Sequence, residues 1–504
     1  MGDGSLIRHW AGRGQLPHLG AMIGGGAWID LESTADVLHT STWPTFATGT
    51  QPGRHGVYYP YQPKPGHQMA RHIQPDQYGE PTFWKVADAA GRRCVVFDIP
   101  ETFPEASFGG RAIFDWGTWA WYGTPASQPA ALLSDLKGRF GPYPLGYEAK
   151  RLGLAQPDDI EARLLRSIHY KSLTVRSLIA GDDWDLAVVG FCETHPAGHY
   201  LWPAGAERLG DASDDAFGPL SRIYAAIDHA IGELRAALPP DCLVLIASGD
   251  GVRPNRSGWH LLPGILTRLG YTCAPGTAAV GPPPSRSLLS RAQGLVPAAV
   301  KQRIAMALPW WLRDELGMRA QAGSIDWTRT RAFTLPTDLE GCIRINLKGR
   351  EPVGIVEAGP AYARLCEEIR GCLEELVNPA TSERAVHRVW VRDEVFPGPR
   401  QEHLPDLMVT WNDAAPLTAV TSARVGLIEG VNPDPRPGTH SRDGFLLAEG
   451  RSVKPALRGH GRLIDIAPTV MQMLGLELHG VDGRPIDLQE DTRRQKDESW
   501  TFCT

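Results

Sequence analysis

The feature that most constrains this chain is the alternation of short β-rich runs with amphipathic stretches of helical spacing. Four such runs stand out: Arg93–Phe97, Asp185–Phe191, Cys242–Ala247 and Asp406–Trp411. Each has the length and apolar content of a buried strand. Helical patterns cover Ala361–Leu376 and Ile464–Leu474, the second starting near Asp465. Such alternation predicts βαβ units, hence an α/β fold with a mainly parallel central sheet flanked by helices. Open sheets of that kind bind ligands outside the carboxyl ends of their strands. The second and third runs end in polar clusters, Glu193–His199 and Ser248–Gly251, so the chemistry is expected there.

The 504 residues exceed what one small core needs. The pattern divides into a first part of the α/β core over 1–270, an inserted cap over 271–324, a second part of the core over 325–488, and a polar tail over 489–504. The cap is marked by Gly281–Pro284 and then by a basic amphipathic stretch from Val300–Ile304 through Trp310–Arg313. Trp beside Arg also suits a membrane surface, but Pro309 interrupts the run and a packed insertion is the adopted reading.

Hydrophobic residues at 42% and charged residues at 21% describe an ordinary globular chain. A formal net charge of -6 with no long basic run argues against a broad nucleic-acid face. No apolar stretch is long enough to span a membrane, and Met1–Ser5 lacks the basic-then-apolar pattern of a secretory signal, so a cytoplasmic protein is expected. Eight scattered cysteines without a CxxC pair predict buried thiols rather than a disulfide framework.

Four constellations carry chemistry. In Thr40–Gly56, a hydroxyl residue two positions before Pro44 suits a helix start, where backbone N–H groups favour phosphate or sulfate. A Thr or Ser there can act as a nucleophile if a metal stabilises its alkoxide, although alone the segment reads as a simple cap. In Phe191–Trp202, His195 and His199 lie four positions apart and Glu193 precedes them, a donor set suited to zinc or a similar divalent ion. Ser248–Val252 offers Asp250 at a strand end, and Asn255 and His260 just beyond could line the same pocket, though His260 reads equally well as a core or surface histidine. Pro437–Phe445 places His440 in a late loop.

The run Thr42-Trp43-Pro44, Phe46, Thr48-Gly49, Pro52-Gly53-Arg54-His55-Gly56 is similar to the nucleophile segment of the type I phosphodiesterase and nucleotide pyrophosphatase branch of the alkaline phosphatase superfamily. By its Thr-x-Pro context the resemblance makes Thr42 the nucleophile. The interval to the Thr-Gly pair is about one helical turn shorter than usual, so Thr45, Ser41 and Thr40 stay open as alternatives. The family's Asp-x-x-x-His metal segment falls on His195 and His199, with His195 where the Asp belongs. Its Ser-Asp-His-Gly-Met segment falls on Ser248–Val252, with Gly249 at the Asp position and Asp250 at the His position. His440 matches the late metal-binding histidine. The implied metal set is therefore His195, His199 and His440, with Asp250 and Glu193 as further ligands. Asp465–Val470 and Asp482–Pro485 resemble the superfamily's closing helix and turn and are assigned to packing.

The family's first strand ends in an Asp that bridges to a second metal, yet only five residues precede the helix pattern that begins at Leu6. Either the chain as given begins late, which is the expectation adopted, or Asp3 takes that role, or a second ion is not bound. The resemblance implies metal-dependent hydrolysis of phosphate mono- or diesters, or sulfate esters, with one or two divalent ions, zinc by donor type. The alternatives are a non-catalytic member that binds an anion or a partner, and a phosphomutase-like transferase.

Overall fold

A computed structural model describes residues 1–73, 78–116, 125–142, 157–181, 183–203, 205–206, 216–275, 323–337, 339–434 and 436–489. Most of the expected cap and nearly all of the tail lie outside these residues. The main strands are β1 (Ala27–Glu32), β2 (Cys94–Phe97), β3 (Arg111–Phe114), β4 (Ala126–Gln128), β5 (Leu186–Val189), β6 (Val244–Ser248), β7 (Gly251–Pro254), β8 (Ala332–Thr334), β9 (Gly341–Ile345), β10 (Val386–Val391), β11 (Leu407–Trp411), β12 (Gly438–Ser441), β13 (Asp443–Glu449) and β14 (Arg458–Arg462). The main helices are α1 (Gly4–Gly12), α2 (Pro17–Gly25), α3 (Thr42–Thr48), α4 (Pro157–Ile179), α5 (Thr194–Leu201), α6 (Gly218–Ala236), α7 (Pro360–Glu374) and α8 (Ile466–Met473).

All four expected strands form, but they do not join one mainly parallel sheet. One four-stranded sheet has the order β14-β1-β13-β6, a second β4-β3-β2-β5, and a third β8-β9-β11-β10. Among the described strands, parallel pairing joins β1 with β14 and β2 with β3 and β5. The rest is antiparallel, including β13 against both β1 and β6. A fully buried strand reads as a continuous apolar run whichever way its neighbour points. Strand direction was therefore beyond the periodicity from which the parallel sheet was expected.

Asp3 opens the first helix. Its Oδ1 accepts the N–H groups of Ser5 and Leu6, each at 2.9 Å, satisfying donors that an α-helix leaves bare at its start. Its Oδ2 accepts the N–H of Val252 at 3.1 Å. Asp3 thus ties α1 to β7, and its carboxylate is engaged by backbone rather than turned to a metal cluster. The first described strand, β1, comes only after α1 and α2.

β5 and β6 are the outer strands of the first two sheets, and both line a cavity of about 890 Å³. Its walls are largely apolar, with Ile227 of α6 and Val470 of α8 among them, while Thr42, His195, Asp250 and His440 line its polar part. Both polar clusters predicted from the sequence therefore reach one space, through the ends of two separate sheets.

The third sheet packs against α7 around Ile343, Ile369, Leu373, Val389 and Val409. Beside this core Asp406, fully buried, accepts Arg350 at 2.7 Å, Arg392 at 2.8 Å and the Tyr362 hydroxyl at 2.9 Å. Burial alone would raise the Asp406 pKa, but Arg350, Arg344 and Arg392 outweigh it and hold the carboxyl below the usual range. Removing one member of such a network strands buried charge. Asp406→Asn is therefore expected to cost about 3–5 kcal/mol in urea unfolding at neutral pH. A depressed carboxyl pKa contributes stability above its unfolded value, so the gap to wild type should narrow as the pH falls below about 4.

Candidate metal centre

His195 and His199 sit on α5, one turn apart, and therefore share a face. His440 comes from β12, whose antiparallel pairing with β7 sets His440 opposite Val252. α5 and β12 meet closely. A Cβ on Gly438 would stand 2.0 Å from the Gly198 carbonyl oxygen, so only glycine fits that seam. Across it, His199 Nδ1 lies 2.8 Å from the Gly438 carbonyl oxygen and donates to it.

The three histidines converge. His195 Nε2 lies 3.1 Å from His199 Nε2 and 3.2 Å from His440 Nε2. With Nδ1 of His199 donating to a carbonyl, and Nδ1 of His440 bonded to the Asp250 carboxylate, both Nε2 atoms turn lone pairs toward the common point. Ligand atoms about 2.0–2.1 Å from a tetrahedral zinc are separated by about 3.3 Å, which the observed spacings match closely. Buried imidazoles also need to be neutral to ligate. Burial and the neighbouring imidazoles hold His195 well below its ordinary pKa, and burial with His39 lowers His440 against the pull of Asp250. Among the described residues this is the group of three or more metal-ligating side chains whose donor atoms lie within 4.8 Å of one another. The residues fit a divalent cation with an affinity for nitrogen.

The remaining candidates fall elsewhere. Asp250 is not among the three converging donors; its Oδ2 holds His440 Nδ1, and its Oδ1 lies 3.0 Å from the Met1 nitrogen. It thus stands where a carboxylate orients an imidazole that could ligate a cation. Glu193 precedes α5 but turns away from the histidines, accepting the Ser167 hydroxyl at 2.6 Å and lying 3.3 Å from Lys171 Nζ of α4. Burial alone would depress the Lys171 pKa, yet Glu193 and Asp98 hold it up, so this buried ion pair anchors the start of α5. Asn255 donates to Asp434 at 3.2 Å and to the Arg436 carbonyl at 3.0 Å, bracing the loop that leads to His440. His260 lies on a short 3-10 helix against Gly430, next to the core of the third sheet, and is not part of the histidine cluster.

Among the hydroxyls, Thr42 starts α3 and donates to the His39 carbonyl at 2.9 Å. Its Cβ lies 3.3 Å from where Gly249 would carry one, which sets it against the Ser248–Gly251 turn. A side chain at position 249 would also press on Leu463 at 2.9 Å, so the glycine in place of an acidic residue leaves room that Thr42 and Leu463 occupy. Thr45 faces His55 Nε2 at 3.1 Å, Ser41 bonds the Leu38 carbonyl at 2.6 Å and Thr34 at 2.7 Å, and Thr40 donates to the Tyr58 carbonyl.

Two neighbours were not foreseen. His39, whose Nδ1 lies 2.9 Å from Glu340, brings its ring within 4.5 Å of His440. Arg436, paired with Asp434 at 2.6 Å, reaches His199 Nε2 at 3.3 Å. Their positions, three residues before Thr42 and four before His440, were the available signal.

The sequence profile described as type I phosphodiesterase / nucleotide pyrophosphatase matches residues 3–261. The chain belongs to that family, within the alkaline phosphatase superfamily. This is a family of phosphoric ester hydrolases. Among solved structures, the chain is similar to murine ectonucleotide pyrophosphatase / phosphodiesterase 5, at 12% identity and TM-score 0.47, over 93% of this chain and 92% of that one. The human protein of the same name gives 10% identity and TM-score 0.49 over the same shares. Phosphonoacetate hydrolase from Sinorhizobium meliloti 1021 gives 12% identity and TM-score 0.48, over 92% of each chain. No curated protein matches the sequence significantly.

If the phosphodiesterase-family centre is built as described, its outer contacts tune it. Asp250→Asn is expected to weaken zinc binding about 10–100-fold, as loss of a carboxylate behind a ligand histidine does. Gly438→Ala, which forces α5 away from β12, should weaken it at least as much. Competition with a chromophoric chelator measures both, and unchanged affinity in the two variants would refute the assignment.

Proposed function

We propose that the chain hydrolyses phosphate esters, diesters ahead of monoesters, with Thr42 as nucleophile and His195, His199 and His440 holding a zinc ion. The observation that carries this reading is the convergence of three imidazoles, two of which, His195 and His440, line one cavity with the buried Thr42. When bound, the cation would supply Lewis acidity to an alkoxide and to the non-bridging phosphoryl oxygens. Thr42 is positioned by the His39 carbonyl and packed by the bare Gly249 backbone, so its hydroxyl is held before substrate arrives. Thr45 and Ser41 do not line the cavity, which supports Thr42 over them, and the Thr-x-Pro context supports it over Thr40.

Charge supports the choice of a diester. Two arginines line the cavity, Arg436 and Arg235, and both are already ion-paired, with Asp434 and Glu449. No lysine is among its described lining residues. So little free positive charge suits the single charge of a diester better than the double charge of a monoester. The apolar walls suit a hydrophobic leaving group.

With zinc supplied, turnover of bis(p-nitrophenyl) phosphate is expected to exceed that of p-nitrophenyl phosphate and p-nitrophenyl sulfate. Thr42→Ala should lower it by at least about 10³-fold, and a chelator should abolish it. Full activity in Thr42→Ala would sink the nucleophile assignment, and zinc binding without turnover would favour an anion-binding member.

A further inference from the structure

Glu101 follows Pro100 in the loop after β2 and lines the same cavity as Thr42, His39, His195, Asp250 and His440. Its Oε2 is enclosed by protein and has no hydrogen-bond partner among the described residues. Its backbone is left-handed, with φ 59°, three residues after Asp98 at φ 55°. Neither residue is glycine, and such conformations persist in non-glycine residues where the surroundings enforce them. The loop therefore holds a carboxyl in the cavity at a conformational cost, without giving its inner oxygen a structural bond.

The other polar groups of the cavity are committed differently. His199 and His440 turn lone pairs, not N–H groups, to the common point, and His39 is bonded to Glu340. A departing alkoxide needs a proton, and catalysis of that transfer is worth about 10²–10⁴-fold.

We propose that Glu101 is the proton donor to the leaving-group oxygen when an ester is cleaved beside Thr42. The assignment rests on the nucleophile reading above. Thr42 gives up its hydroxyl proton to solvent before attack. Its Oγ1–P bond then forms as the bond from phosphorus to the leaving oxygen breaks, and the Glu101 carboxylic proton passes to that oxygen, releasing an alcohol. In the second half the Glu101 carboxylate takes a proton from the incoming water, whose oxygen bonds to phosphorus as the Oγ1–P bond breaks. Glu101 is reprotonated and Thr42 returns as the alkoxide.

The surroundings keep the acid form available. Burial pushes the Glu101 pKa up to about 8, with His39 lowering and Asp250 raising it. Tyr78, whose hydroxyl is buried and has no hydrogen-bond partner among the described residues, is close enough for Glu101 to raise its pKa and adds no positive charge. Burial thus favours the carboxylic acid, the form able to donate.

The test compares the zinc-loaded full chain with Glu101→Gln on two diesters, one with a p-nitrophenolate leaving group, which departs without help, and one with a simple alkoxide. We expect kcat/KM for the alkyl ester to fall about 10²-fold more than for the aryl ester. The wild-type alkyl rate should decline as rising pH takes the proton from Glu101, and the variant should lack that limb. The ratio of the two substrates is taken within each protein, so partial misfolding cancels. Independently of turnover, an infrared difference between wild type and variant at neutral pH should show a carboxylic-acid carbonyl band. Equal losses on both esters, or no such band, overturn the donor role alone. Wild type inert toward both overturns the hydrolase reading and this one together, and activity surviving in Thr42→Ala overturns only the nucleophile.

Discussion

The site depends on the close seam between α5 and β12. Gly438 lets its strand approach the Gly198 carbonyl of the helix to backbone contact, and the His199 to Gly438 hydrogen bond fastens them. That one contact brings imidazoles from distant parts of the chain into a triangle of the size a cation requires. Everything proposed about chemistry follows from it. A helix displaced by even 1 Å would pull the Nε2 atoms out of coordination range, because metal–nitrogen distances tolerate only a few tenths of an ångström.

Electrostatics then sort the polar residues around the seam. Burial favours neutral imidazole, and neutral imidazole is what a metal ligand must be. Carboxylates in the same region are kept off the common point by better-matched partners: Asp250 by His440 and the Met1 nitrogen, Glu193 by Lys171 and Ser167. A three-imidazole centre carries less negative charge than one with a ligating Asp. It should therefore leave more net positive charge on a bound cation, favouring attraction of an anionic ester. Glu101, by contrast, is ion-paired to no Lys or Arg among the described residues, and burial is the largest influence on it, ahead of His39 and Asp250.

The readings that came through the sequence were those carried by local chemistry. Two histidines at helical spacing after a strand came from local chemistry, the third, His440, from the family resemblance, and the three converge in space. The four β-rich runs each became strands. Other readings failed for a common reason. Glu193 stands two positions from His195 in the chain, but at the start of a helix two positions means a large rotation, and its carboxylate faces α4 instead. Asp250 is near His440 in space yet approaches its far nitrogen, a distinction that spacing cannot encode. His39 and Glu101 carry no recognisable motif; their membership depends on loops folding back onto the cavity.

By itself, then, the order of residues determined the strand and helix segments and the pairing of His195 with His199, which are written in side-chain type and short-range period, while its motifs in series gave the family and His440. Tertiary structure alone decided the strand directions, the division into separate mixed sheets, the outer role of Asp250 and the diversion of Glu193 to a lysine. The physical reason is that these depend on which faces and edges meet across the chain, and a local pattern is unchanged when its neighbour is turned around or exchanged.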